Sequence, residues 1–237
     1  FYNILEYILE LIYPPKCVFC GKFNQEYLCK NCRKALQQVE KMHIDYYKNK
    51  EIFFDEHIYT FKYKNIRKNI LDYKFNDKSY YYKAFVNILL KDKKMCEILK
   101  SYDIIVPVPI HNKRRMERGY NQTELIAKEL SRKITYYTNT MEKTKQEILK
   151  YENILIKKNN TKPQSSLNKI QRAENAKNVY KLRKNKRMIL EYEKIKNKNI
   201  LIFDDIYTTG ATANECAKVI NEELAPNKIG ILTMAKD

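Results

Sequence analysis

The chain has 237 residues, 44% of them apolar, enough to furnish the core of one sizeable α/β domain with an appendage. No stretch approaches the roughly 18 consecutive apolar residues that a spanning helix needs, so the sequence predicts no membrane insertion and a cytoplasmic location. The balance of 46 Lys+Arg against 28 Asp+Glu leaves +18, a charge that attracts polyanions such as nucleic acid, although the Lys, Asn, Ile and Tyr spread throughout are also what an AT-rich coding sequence writes into any protein.

Residues 1–12 suit a short amphipathic helix carrying Glu6 and Glu10, without the basic start of a signal peptide. The chain opens on Phe1 rather than Met, so a few residues are expected to precede it. Cys17-x-x-Cys20 and Cys29-x-x-Cys32, eight residues apart, bring two chelating pairs within reach of one ion. Four thiolates at that spacing point to a closed, structural zinc site; two disulfides and an iron–sulfur cluster are the competing readings. Cys96 and Cys216 stand apart and read as small buried hydrophobes. The expected division is residues 1–50 as N-terminal helix and zinc module, and 51–237 as the main domain.

A short helix is expected at 31–39, a polar linker around 48–51 and a strand at 57–63. Over 64–75, Ile66, Ile70 and Leu71 fall at helical spacing, which leaves Lys74 outside, on a solvated face or, as the alternative, reaching an anionic ligand. One further helix is expected at 84–99, with Tyr80, Tyr81 and Tyr82 at its start packing as core edges, base stacking being the alternative. Residues 103–109 read as a buried strand stopped by Pro107 and Pro109, which supply no backbone N–H. The basic run after it, with Lys113, Arg114, Arg115 and Arg118, is expected to be a mobile loop gripping either pyrophosphate or a nucleic-acid backbone, an exposed solubilising loop being the plain alternative. A helix follows at 123–133 with Leu125, Ile126 and Leu130 inward, and then a polar excursion with its own helix around 143–151. His111 has no neighbour that would make it a ligand. Thr161, Gln164 and Arg172 have no apolar role and are candidates for acceptor or nucleic-acid contacts, or ordinary loop capping. The basic residues 181–198 suggest a surface hairpin.

The most informative stretch is 199–212. Ile200, Leu201, Ile202 and Phe203 form a buried strand that runs into Asp204-Asp205, then Thr208-Thr209-Gly210, then a helix over 211–224. Two hydroxyls, a glycine and the unpaired N–H groups of a helix start make a cradle for a phosphate monoester. Adjacent carboxylates at a strand's carboxyl end suit vicinal sugar hydroxyls beside a hydrated cation, or simply cap a solvent-facing turn. The only glycines are Gly21, Gly119, Gly210 and Gly230, which excludes both a dinucleotide fingerprint and a Walker A loop. A strand is expected at 229–234. The alternation argues for a mostly parallel, doubly wound α/β sheet that binds ligands at its carboxyl edge.

Residues 202–212 resemble the phosphoribosyl-pyrophosphate (PRPP) signature of type I phosphoribosyltransferases. The whole chain, with its four cysteines, Arg118-Gly119-Tyr120-Asn121-Gln122 and the pattern around Thr161, Gln164, Leu167 and Arg172, resembles the ComF family (ComFC/GntX-like). That family joins an N-terminal zinc module to a transferase domain; where it commonly has Arg, this chain has Lys157. The resemblance implies that Asp204 and Asp205 hold the ribose hydroxyls as the catalytic pair, and that Thr208, Thr209, Gly210, Ala211 and Thr212 bind the 5-phosphate. Pro107, Val108 and Pro109 would form a pyrophosphate loop presenting backbone amides, with Arg118 beside it. Lys113, Arg114, Arg115, Gln122, Thr161, Gln164 and Arg172 would meet DNA or an acceptor. It further implies Zn²⁺ as a structural ion, Mg²⁺ with PRPP, a role in DNA uptake during natural transformation, and single-stranded DNA and other competence proteins as partners. Nothing specifies an acceptor. The alternative is a non-catalytic single-stranded-DNA-binding protein on the same scaffold.

Overall fold

The computed structural model describes residues 11, 14–24, 26–143, 145–158, 178–184 and 192–237. The expected helix at 1–12, apart from Leu11, and the candidates Thr161, Gln164 and Arg172 lie outside the described residues.

Strand β1 (His43–Tyr46) runs antiparallel to β2 (Glu56–Lys62). From β2 the sheet is parallel through β8 (Lys228–Lys236), β7 (Asn199–Tyr207), β3 (Ile104–Pro107) and the short β4 (Lys150–Tyr151). The centre is β7, where Ile200, Leu201, Ile202 and Phe203 have no exposed surface. A strand covered on both faces reads as an unbroken apolar run, which is why this one is visible in the sequence.

Alternate residues of β7 serve two cores. Leu201 and Phe203 join the larger one, beneath α2 (Tyr63–Phe75), α3 (Tyr81–Leu89), α4 (Lys93–Lys100) and α6 (Gln122–Glu142). Ile200 and Ile202 join the second, beneath α7 (Ala211–Leu224) and the antiparallel pair β5 (Leu155–Lys157) and β6 (Tyr180–Leu182). Helices thus cover both faces of a mostly parallel sheet, as the sequence predicts. Each buried Leu, Ile or Phe contributes about 1.5–3 kcal/mol.

The cysteine-bearing segment and α1 (Lys30–Leu36) pack on the larger core through Cys17, Val18, Leu28 and Leu36. Asn69 of α2 fastens them by donating to the Val18 carbonyl at 2.7 Å. Strand β1 falls before residue 50, so the sheet recruits residues from the same stretch as the zinc module.

Several local expectations are corrected. The single helix at 84–99 is two: α3 ends at Leu89, and Asp92 caps α4 by accepting from the Lys94 amide at 2.9 Å. The basic loop is a helix, α5 (Asn112–Arg118), capped by the His111 ring and ended by Gly119 at φ 74°. It buries no residue, so it has no apolar period to betray it. Helix α6 runs to Glu142 because Ile134 and Thr138 continue its inward face, whereas Leu125 is only half-buried. The expected helix at 143–151 is replaced by a left-handed Lys143 that ends α6, a loop, and β4. Of the surface hairpin expected at 181–198, residues 185–191 lie outside the described residues; at its start β6 pairs back to β5, with Leu182 buried. Among the described residues no helix is long and apolar enough to cross a membrane.

Candidate active site and metal centre

Parallel pairing puts the carboxyl ends of β3 and β7 side by side, Pro107 opposite Phe203. A cleft of about 340 Å³ opens there, lined by Val108 and Pro109 after β3, Asp204, Asp205, Thr208 and Thr212 from β7 and its turn, and Lys74, Arg114, Arg118, Gln122 and Lys157 around them. The sequence signature and the basic run therefore meet in one place.

Asp204 and Asp205 have different partners. Asp205 is buried, its Oδ1 lies 2.8 Å from Lys74 Nζ, and its Oδ2 accepts from Gln122 Nε2 at 3.1 Å. Arg118 Nη1 in turn donates to Gln122 Oε1 at 3.1 Å. Of the two expectations for Lys74, the solvated helix face is corrected, since its side chain is 17% exposed and turned toward the acids, and it does line the cleft. Asp204 Oδ1 accepts the Asp205 amide at 2.8 Å. Burial and the neighbouring Asp205 push the Asp204 carboxyl up to about 7, against the pull of Lys74. Lys157 is driven the other way, down to about 8, by burial and then the charge of Arg114.

The turn from β7 to α7 is built for close approach. Gly210 has φ +76°, and a Cβ there would stand 2.2 Å from the Tyr207 hydroxyl oxygen. Tyr207 cannot readily move aside, because its ring stacks on buried His57 at 4.0 Å between centroids. Gly210 caps α7 without a side chain, and of the helix-start amides that of Ala211 donates to Thr209 Oγ1 at 3.4 Å. Gly210, Ala211 and Thr212 edge a small recess beside Asp204. Tyr180 shares a hydrogen bond with Thr212.

The loop after β3 has less backbone to offer than the resemblance implies. Pro107 and Pro109 lack an N–H, and the Val108 N–H is given to the Phe203 carbonyl at 2.9 Å. The Val108 carbonyl is held by Thr123 Oγ1 at 2.6 Å and Asn121 Nδ2 at 3.3 Å. Positive charge in the cleft comes from side chains instead: Arg114, Arg118, Lys74 and Lys157. Of the remaining basic candidates, Arg115 faces Glu124 at 3.3 Å and lines a neighbouring recess, and Lys113 is exposed. Sequence reasoning gave no site role to Arg67, set on the outer face of the 64–75 helix, or to Tyr180, at the end of the Asn178-Val179 stretch that resembles the family pattern, and both line the cleft.

The four cysteines converge as their spacing predicts. The Sγ atoms of Cys17, Cys20, Cys29 and Cys32 all lie within 4.8 Å of one another, with Cys20 and Cys29 at 3.8 Å. Zn–S bonds of about 2.3 Å in a tetrahedron set sulfurs about 3.8 Å apart, so the cluster fits zinc. Backbone N–H groups of Cys29 and Cys32 point at the sulfurs of Cys17 and Cys29, at 3.4 and 3.5 Å, and would support them as thiolates. Cys216 is buried as expected, and half-buried Cys96 donates to the Leu90 carbonyl.

Comparison with known proteins agrees with this layout. The double zinc ribbon domain model matches residues 8–43. The chain is 26% identical over 213 residues to "Competence protein F" of Haemophilus influenzae, spanning 88% of this chain and 79% of that protein. Over most of its length this chain is thus similar to a competence protein F, and its N-terminal end is similar to a double zinc ribbon.

Proposed function

We propose that the protein binds PRPP in the cleft at the end of β7, transfers its phosphoribosyl group to an acceptor, and serves DNA uptake. One observation carries this: an acid pair and a glycine-bearing threonine turn, contiguous in sequence, open into the same cleft as Lys74, Arg118 and Lys157. In this reading Asp204 and Asp205 accept hydrogen bonds from the ribose hydroxyls, and Thr208 to Thr212 enclose the 5-phosphate. Arg118, Arg114 and Lys157 offset the charge that grows on departing pyrophosphate, so the protein acts mainly by positioning and electrostatics. Carboxylate oxygens are hard donors that suit magnesium, which when bound would neutralise the pyrophosphate further. Homology to a competence protein F supports the cellular role. Thiolate ligation of zinc supports a reducing, cytoplasmic setting, and residues 1–50 and 51–237 are taken as zinc module and transferase domain, the first segment lending β1 to the sheet of the second.

The second reading, a non-catalytic single-stranded-DNA binder, is favoured by the net charge of +18 and by α5, which carries Lys113, Arg114, Arg115 and Arg118. Calorimetric titration with PRPP and magnesium tests the first. Saturable binding is expected, falling on the order of a hundredfold in the Asp204→Asn/Asp205→Asn double variant, as charge-assisted contacts would require; unaltered affinity in that variant overturns it. Pyrophosphate release with a panel of acceptors separates turnover from binding alone.

A further inference from the structure

The segment between β1 and β2, read in the sequence as a polar linker around 48–51, is a closed loop pinned to the sheet. The Tyr47 N–H donates to the Asp55 carbonyl at 2.9 Å, and the Asp55 N–H donates to the Ile229 carbonyl of β8 at 2.8 Å. Phe54 is buried in the second core, with Tyr47, Ile52 and Phe53 packed against it. From there the loop holds the glycine-bearing turn between β7 and α7 on two sides. On the helix side, Asn214 in the first turn of α7 uses both ends of its amide: Oδ1 accepts the Phe53 N–H at 2.8 Å, and Nδ2 donates to the Glu51 carbonyl at 2.9 Å. The Asn214 N–H closes on the Gly210 carbonyl at 2.8 Å, so one residue ties the loop to the turn. On the strand side, the Tyr47 and Tyr207 hydroxyls meet at 3.4 Å and the Phe54 ring stands edge-on to Tyr207. The Tyr207 ring also stacks on His57, which Thr233 Oγ1 holds at 2.9 Å from Nε2. The hydroxyl of this clamped ring lies directly against Gly210, where a Cβ would stand 2.2 Å from it.

We propose that the 47–55 loop is a brace that pre-shapes the β7–α7 turn for the 5-phosphate of the sugar, with Asn214 and Tyr207 as its positioning residues. Both act through Gly210 and its neighbours rather than on the ligand. A turn built on a glycine at φ +76° has little stiffness of its own, because glycine loses more conformational freedom on ordering than any other residue. Oriented backbone dipoles grip an anion well only if the turn is already in its bound shape, since ordering it on binding subtracts from affinity. The brace removes that cost in advance. This rests on the PRPP reading and adds to it what holds the phosphate subsite in form.

Asn214 is half-buried, so Asn214→Ala cuts both bonds to the brace without opening the core. Tyr207→Leu removes the ring beneath Gly210, and Tyr207→Phe keeps the ring and its stack on His57. Each variant of the full chain is titrated by calorimetry with ribose 5-phosphate, with PRPP and magnesium, and with pyrophosphate. Asn214→Ala and Tyr207→Leu should weaken ribose 5-phosphate and PRPP on the order of tenfold, the effect of a slightly misplaced contact, and leave pyrophosphate unchanged. Tyr207→Phe should recover most of what Tyr207→Leu loses. Without any ligand, hydrogen exchange over 208–213 should quicken in Asn214→Ala, because the turn has lost its support. A loss shared equally by pyrophosphate marks general damage and overturns the brace. An unsubstituted protein that takes neither ribose 5-phosphate nor PRPP sinks the PRPP reading and the brace with it, whereas native binding that Asn214→Ala and Tyr207→Leu both leave untouched sinks the brace alone.

Discussion

Lys74 Nζ lies 2.8 Å from Asp205 Oδ1, joining the last turn of α2 to the carboxyl end of the central strand. Neither charge is fully in water: the side chains are 17% and 8% exposed. Such a pair is costly to break from one side, because the abandoned charge stays desolvated. Lys74→Met should therefore lower unfolding free energy by about 2 kcal/mol, somewhat below the cost for a fully buried pair because Gln122 still bonds Asp205. Urea denaturation measures this, and Lys74→Met/Asp205→Asn should recover part of the loss. A midpoint that does not move in Lys74→Met would mean the pair is energetically idle. If the cleft holds PRPP, the same variant should also bind it more weakly, since a cation has gone and a carboxylate is left bare.

Asp204 predicts an unusual pH signature. Its carboxyl is raised to about 7 by burial and by Asp205, from an ordinary value of 3.8. The folded state thus holds a proton that the unfolded state releases, so stability falls as pH rises from about 4 through 7. Asp204→Asn removes that penalty. It should raise the melting temperature at pH 8, by the equivalent of on the order of 1–2 kcal/mol, with little effect near pH 4. Thermal melts at both values decide it; equal gains at the two would mean that the asparagine acts through packing. PRPP binding should weaken below pH 7, where Asp204 becomes protonated and loses acceptor strength.

Zinc removal should reach beyond the cysteines. Cys17, Val18 and Leu28 are part of the larger core, Asn69 binds the Val18 carbonyl, and Tyr27 packs on Tyr80 at 5.6 Å between ring centres. Four thiolates without their ion repel one another as they deprotonate, and the knuckles lose their organising centre. Metal analysis should find about one zinc per chain. After chelation, hydrogen exchange should quicken in 14–36 and in α2 around Asn69, while β7 and β8 stay protected. Protection unchanged in α2 would show the module to be an independent appendage.

How much of this was legible beforehand depended on whether the signal was local. The strand–turn–helix of 199–224 could be read because a doubly covered strand writes four apolar residues in succession, and α7 occupies the expected 211–224. The cysteine cluster was legible for the same reason, since ligand spacing is set by the short span between knuckles. Helix α5 was missed because a helix that buries nothing has no apolar period, and its signals reduce to a His cap and a glycine stop. The split between α3 and α4 turned on one capping carboxylate, Asp92.

Residue order alone thus set which segments are buried, where the glycine-bearing turn after the central strand falls and which ion the cysteines suit, because burial and chelation leave periodic or closely spaced marks. It left unassigned the partners of Asp205 and the stack of Phe75 on Arg118, and it favoured a solvated face for the largely buried Lys74. Those relationships join residues far apart in the chain, and a charge or an aromatic ring carries no mark of what it will face. They arise only when parallel pairing of β3 with β7 gathers α2, α5 and the β7 turn around one edge, where lost solvent makes each polar contact count.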